Sequence, residues 1–204
     1  VRNRKKWYKL NPKFGTKIIF QKIYNDTFKI GITPDRLECL CDNTFYEVNI
    51  KPEYVKYSKL ISALLLSSLT ILNIELNGRA NFGGGALDIK VYEVNNIQIP
   101  NPSKISNNLA SKIINNFNIL RTREFLPLKN EIEKEDRINL DKAVFQYIGI
   151  NDITILNKFY DMNLNCSMEL VHEAYDKNTG KKRYFKLPLN SKYMNIKKTK
   201  DKIP

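Results

Sequence analysis

The stretch from Leu60 to Leu72, LISALLLSSLTIL, carries no charge and no continuous polar stripe. A helix of this sequence is apolar almost all round, and only burial on every side suits it. Its 13 residues include Ser62, Ser67, Ser68 and Thr70. They fall short of the roughly 20 apolar residues needed to cross a bilayer, so the stretch reads as a core helix and not as a membrane span. The helix is predicted to run from Tyr57 to Leu76. Asn77-Gly78 closes it, glycine being the residue that most readily turns left-handed past a helix end. The rest of the chain must wrap this helix, and 204 residues suffice for one good-sized domain or two small ones.

The sequence before the helix reads as strands. Lys17–Phe20, Phe28–Thr33, Leu37–Leu40 and Phe45–Ile50 are short runs rich in β-branched and aromatic residues. Turn signals separate them at Asn25-Asp26, Thr33-Pro34-Asp35 and Asp42-Asn43. After the helix, Ala86–Val91 is predicted as a strand, with Leu87, Ile89 and Val91 on one face and Asp88 and Lys90 on the wet one. Ile99-Pro100-Asn101-Pro102 marks a boundary, beyond which the pattern is helical. Ser103 is the expected cap of a helix striped by Ile105, Leu109, Ile113, Phe117 and Leu120. The charged segment Lys129–Arg137 precedes a second helix, which has Leu140, Val144, Phe145 and Ile148 on one side and stops at Gly149. A third helix is predicted over residues 152–175. The expected fold class is α+β. A mostly β domain with one buried helix occupies residues 1–102, a helical segment 103–176 and a basic tail 177–204.

Charge narrows the choice of partner. The chain is 42% hydrophobic and 27% charged, a balance that folds, and its formal charge is +13. That excess suits a polyanion, either nucleic acid or an acidic membrane surface. Residues 1–22 contain Arg2, Arg4, Lys5, Lys6, Lys9, Lys13, Lys17 and Lys22 and no acid. Trp7, Tyr8 and Phe14 are interleaved with them, which makes this cluster a binding candidate. The run from Lys181 to Pro204, with only Asp201 against its lysines, reads as a solvated tail. Cys39, Cys41 and Cys166 supply no disulfide framework and point to a reducing, cytoplasmic setting. Cys39-Leu40-Cys41 lacks the second pair or nearby histidine that zinc needs. The only histidine, His172, stands between Glu169 and Glu173 and reads as a surface residue.

Function turns on residues Asn77 to Lys90, NGRANFGGGALDIK. A Walker loop needs Lys and Ser or Thr after its last glycine, and Ala86-Leu87 follows here. A dinucleotide or S-adenosylmethionine loop comes after a strand and opens a helix. Here the order is helix, glycines, strand, and position 104, where a ribose-binding acid would fall, is a lysine. Asp88-Ile89-Lys90 has the spacing of metal-dependent nucleases in which carboxylates hold Mg²⁺ and a lysine orients water, with Glu75 as the upstream acid. The same spacing is common on the wet face of strands in basic proteins. The remaining reading is a turn whose glycines, Gly83 and Gly84 among them, permit close backbone approach. Arg79 and Asn81, on the loop just before it, would then meet a base edge or a phosphate. A plain structural turn with an exposed arginine accounts for the same residues.

A resemblance separates these readings. Asn77 to Leu87 together with Ile97-Gln98-Ile99-Pro100 resembles the end of the target recognition domain in adenine-N6 DNA methyltransferases of restriction–modification systems, the TaqI-like and N-6 DNA methylase group. Tyr92-Glu93-Val94 fills the middle of that pattern. RNRKKWYKL resembles the basic-aromatic opening of the domain, and Phe45-Tyr46-Glu47-Val48 a strand within it. Asp136 to Phe145 with Ile148-Gly149-Ile150 resembles the R-x-x-LD-x-x-(I/V)F-x-x-LG(L/I) helix that commonly closes these enzymes. The likeness runs in order over about residues 1–175.

The family's (N/D)PP(Y/F) motif and its cofactor loop are both missing, since Asn101-Pro102-Ser103 is not that motif. The chain also begins at Val1 within a basic run and without an initiator Met. Together these imply the C-terminal part of a longer enzyme, whose catalytic domain would bind S-adenosylmethionine while this part recognises double-stranded DNA and does not itself methylate. Arg79 and Asn81 are then the expected base or phosphate contacts, beside Gly83 and Gly84. Arg2, Arg4, Lys5, Lys6, Trp7, Tyr8 and Lys22 would track the backbone, and Tyr24 with Asn25 is a third candidate. The alternatives are half of a type I specificity subunit, the Mg²⁺-dependent nuclease using Glu75, Asp88 and Lys90, and a basic protein-interaction module. The short helices broken by Gly149 lack the long heptad-bearing helix of a specificity subunit.

Overall fold

The computed structural model describes residues 17–24, 27–33, 41–82 and 86–164. Its strands are β1 (Lys17–Gln21), β2 (Ile23–Tyr24), β3 (Ile30–Thr33), β4 (Phe45–Asn49), β5 (Arg79–Phe82) and β6 (Ala86–Asp88). Its helices are α1 (Ser58–Leu66), α2 (Ser68–Asn77), α3 (Val91–Val94), α4 (Asn107–Leu120), α5 (Leu128–Glu131), α6 (Glu135–Tyr147) and α7, whose described part covers 153–164. The class is α+β. The predicted strand at 37–40, His172 and everything past residue 164 lie outside the described residues.

β1 is the central strand of one antiparallel sheet, in the order β3-β1-β4. Alternation along β1 turns Ile18 and Phe20 inward, where they are buried beside Ile30, Ile32, Tyr46 and Val48 of the flanking strands. The second sheet runs β2-β6-β5 and is also antiparallel. Both sheets share a core with α1, α2, α4 and α6, built on Leu60, Leu64, Leu66, Leu87, Phe117 and Leu140. This core passes through residue 102 without interruption, because α4 packs on both α1 and α6.

The apolar helix is buried as expected, but it is two helices. α1 and α2 meet at Ser67, whose ψ of 147° is extended, and the chain bends there by 64°. The cause lies in its hydroxyls. Ser67 Oγ and Thr70 Oγ1 both donate to the Leu64 carbonyl, at 2.7 and 2.8 Å, and so offer the backbone an alternative to the helical ladder. No single helix among the described residues is long and apolar enough to cross a membrane.

A break in a buried helix leaves polar backbone groups without helical partners. Here α6 supplies them. Arg137 Nη1 donates to the Leu66 carbonyl at the end of α1. One turn further along α6, Asp141 accepts from the Ser68 amide at 2.8 Å and from Ser68 Oγ at 2.6 Å, at the start of α2. Tyr160 of α7 donates its hydroxyl to the same carboxylate at 2.9 Å. Burial pushes the Asp141 carboxyl up, against the opposing pull of Arg137, Ser68 and Tyr160. Burial and the Asp141 charge likewise raise the Tyr160 hydroxyl.

Arg137 is in turn held by Glu131 Oε1, at 3.1 and 3.2 Å. Arg123 bridges Glu131 and Asp136 with four bonds of 2.7–3.0 Å. Within the charged segment 129–137, Glu131, Asp136 and Arg137 therefore form an inward-facing network, while Lys129, Glu133, Lys134 and Glu135 are exposed. Burial alone would raise the Glu131 carboxyl, but Arg123, Arg137 and the Leu126 amide bring it below its ordinary value. Hydrogen bonding to Arg123 does the same for Asp136.

Smaller boundaries also differ from the sequence reading. Asn101 caps a 3-10 turn that contains Ser103, and Ser106 caps α4. The predicted strand 86–91 ends at Asp88, and Val91 opens α3 with its side chain exposed. Glu93 causes the change, because its carboxylate accepts from the Lys90 amide at 2.7 Å and nucleates a turn. Gly149 stops α6 with a φ of +85°.

Asp141→Ala should lower stability by about 3 kcal/mol, the scale for removing one partner of a buried ionic group, seen as a reduced urea midpoint at unchanged m-value. The lowered carboxyls of Glu131 and Asp136 make a contribution that is complete above their unfolded values near pH 4. It is lost as pH falls through their lower folded values. Unfolding followed from pH 6 to pH 2 should therefore show a loss of stability below about pH 4, and Arg123→Ala should flatten that part of the curve.

Candidate nucleic-acid interface

The stretch 77–90 forms a hairpin. β5 and β6 pair antiparallel with Arg79 opposite Asp88 and Phe82 opposite Ala86, and an irregularity lies between those pairs. Residues 83–85, which connect the strands, lie outside the described residues. Arg79 and Asn81 are therefore on a strand and not on a loop, because β6 provides a pairing edge immediately after α2. The order helix, strand, glycines, strand again differs from the strand–glycine–helix arrangement that holds a dinucleotide or S-adenosylmethionine.

The hairpin leaves α2 through Gly78. Its φ of −73° and ψ of 171° are extended and not left-handed, so backbone freedom is not why glycine stands there. Contact is the reason. A Cβ on residue 78 would meet three side-chain carbons of Leu87 at 2.7–2.9 Å. Leu87 is itself fully buried, in the register partner of Tyr24 on β2. The missing Cβ lets the start of β5 lie flat on the core.

Lys22 links the two sheets. Its amide donates to the Thr44 carbonyl at 2.9 Å, and its own carbonyl accepts from the Ile89 amide at 3.1 Å. This bridge ties Ile89, just past the hairpin, to the segment between β1 and β2. Tyr46 of β4 adds a second tie, donating its hydroxyl to the Ile89 carbonyl at 2.7 Å. Burial raises the Tyr46 hydroxyl, and the carboxylates of Asp88 and Glu93 raise it further.

The expected site residues separate accordingly. Lys22 is half-buried beside the hairpin. Tyr24 is a core residue, 4% exposed, with its ring edge-on to Phe28 at 5.1 Å. It stabilises the base of the hairpin from beneath and does not present itself to a partner. Arg2, Arg4, Lys5, Lys6, Trp7, Tyr8, Asn25, Gly83 and Gly84 lie outside the described residues. Asp88, expected on a wet face, is fully buried and forms an ion pair with Lys90, and Glu75 is buried too. Both faces of β6 are covered, since the successive residues Leu87 and Asp88 are each fully buried, so alternation leaves no wet face here. Among the described residues no three of His, Cys, Asp and Glu are grouped to hold a metal ion. The Lys90 ammonium sits on the carboxylate that the nuclease arrangement would give to Mg²⁺.

Residues 1–133 match the family model described as type II methyltransferase M.Eco57I, C-terminal domain. The match covers both sheets and α1 to α5, and takes in Arg123 and Glu131 but not Asp136 or Arg137. No curated protein and no solved structure matches the chain significantly.

Gly78→Ala should destabilise the protein by about 1–3 kcal/mol, the usual range for overpacking a filled core. Pairing it with Leu87→Ala, which makes room for the new methyl group, should give less than the sum of the two single losses in urea unfolding.

Proposed function

The chain belongs to the family of type II methyltransferase M.Eco57I C-terminal domains, and on that premise we propose that it grips and reads duplex DNA for an adenine-N6-specific methyltransferase. The family match over residues 1–133 carries this reading, and the +13 charge agrees with it. The arginines and lysines of residues 1–22 neutralise phosphates and give most of the affinity, with a steep dependence on salt. Arg79 and Asn81, on the strand leading into the glycine connection, contact bases or phosphates. Arginine pairs with a guanine edge and asparagine with an adenine edge in bidentate fashion.

The two ties on Ile89 and the close packing at Gly78 support such a role, because base reading needs a hairpin held rigidly on its scaffold. The catalytic domain is the second partner. It takes S-adenosylmethionine and receives the adenine swung out of the duplex. The glycine triplet 83–85 stands between two strands, an order that does not suit the cofactor, so no chemical step is assigned to this chain's residues. The setting is cytoplasmic, where restriction–modification enzymes meet DNA.

Selection of the chain against a random duplex library at moderate salt tests the proposal. Enrichment of one short motif is expected. Arg79→Ala should then lose about 1–3 kcal/mol of preference at one base pair of that motif while keeping its affinity for unrelated duplex. Failure to retain any duplex, even at low salt, would sink the reading.

A further inference from the structure

An open groove of about 460 Å³ lies between α4 and α6. Asn108, Ser111, Lys112, Asn115, Asn116 and Asn139 line it. Every lining side chain is polar, none is acidic, and Lys112 supplies the one charge. The α4 members recur every three or four residues, which sets them in one ridge along the helix. The wider sequence has the same bias. Residues 94–123 contain no Asp or Glu at all, and eight asparagines.

A solvated helix face ordinarily mixes charges of both signs, often as pairs one turn apart. A protein-docking groove would be centred on apolar side chains, and none lines this one. Phosphodiester contacts, by contrast, come from lysine together with the neutral donors of serine and asparagine. Protein–DNA interfaces are correspondingly polar and positive. The acids of α6 do not counter this. Asp136 is bound by Arg123 and Asp141 is buried in the core, which leaves Glu135, exposed one turn before Asn139, at the margin. Asn116 Nδ2 donates to the Lys112 carbonyl at 3.0 Å, which fixes one wall of the groove.

We propose that this groove receives the sugar–phosphate backbone of a DNA duplex, as a contact separate from the β5–β6 hairpin. The inference rests on the DNA-binding reading above. In an intact complex, a grip on the helical side, added to those of residues 1–22 and the hairpin, would fix the angle at which the duplex crosses the domain.

Binding of the full 204-residue chain to a 30-base-pair duplex of arbitrary sequence, followed by fluorescence anisotropy across a salt series, tests it. Lys112→Ala should reduce the slope of log K against log salt by about 0.9, the value for one lost phosphate contact. The double variant Asn108→Ala/Asn115→Ala should weaken binding severalfold at every salt concentration without changing the slope. Lys112, Asn108 and Asn115 are exposed, so unchanged thermal unfolding will confirm that each variant is folded. If wild type and both variants give superimposable salt series, the groove does not hold DNA, although the DNA-binding reading survives. If the wild type itself shows no salt-dependent duplex binding, that reading falls and this inference falls with it.

Discussion

Two side chains one turn apart on α6 satisfy the broken middle of the fold. Arg137 takes the carbonyl that α1 leaves open, and Asp141 takes the amide and hydroxyl that open α2. A 64° bend in the most buried helical stretch would otherwise strand backbone polar groups away from water, at about 1–3 kcal/mol for each unsatisfied group. N-terminal to the bend, β3 packs on α1, and the hairpin departs from the end of α2. The direction of that departure is therefore set by α6, whose own position is held through Glu131 and Arg123. Residues distant in sequence from the candidate interface thus determine where it points.

This gives a physical meaning to the closing helical motif from Asp136 to Phe145, which lies beyond the family match. Arg137, Leu140, Asp141, Val144 and Phe145 are all buried. The apolar members fill the core between α4 and α7, and the two charged members span the bend. The motif stabilises a shape. The hairpin has its own supports, namely Lys22 between the sheets, Tyr46 on the Ile89 carbonyl and the bare face of Gly78 against Leu87. Together they carry rigidity from the core to the strand that holds Arg79 and Asn81.

Charge in the helical part divides between two tasks. Arg123, Glu131, Asp136, Arg137 and Asp141 are turned inward and pair with one another or with backbone. The asparagine-rich face of α4 is turned outward and carries almost no charge of its own. Net charge alone cannot distinguish these, because an inward arginine and a solvent-facing lysine count alike.

Several features were legible in the sequence because each depends on a local period or a single steric preference. The apolar run 60–72 had to be buried, the alternation at Ile18 and Phe20 had to face inward, and Gly149 had to end a helix. The glycine triplet could be refused as a cofactor loop on order alone. What the tertiary structure decided was every outcome set by partners far along the chain. Ser67 and Thr70 were visible as hydroxyls, but whether they would bend the helix depended on Arg137 and Asp141, about seventy residues away, being there to satisfy the break. Asp88 was placed on a wet face because alternation alone cannot tell whether one face of a strand is covered or both, and both faces of β6 are buried. Tyr24 was assigned to the surface for the same reason, since an aromatic beside a turn does not reveal which layer lies over it. Periodicity reports which side a residue faces, but only packing reports what stands on that side.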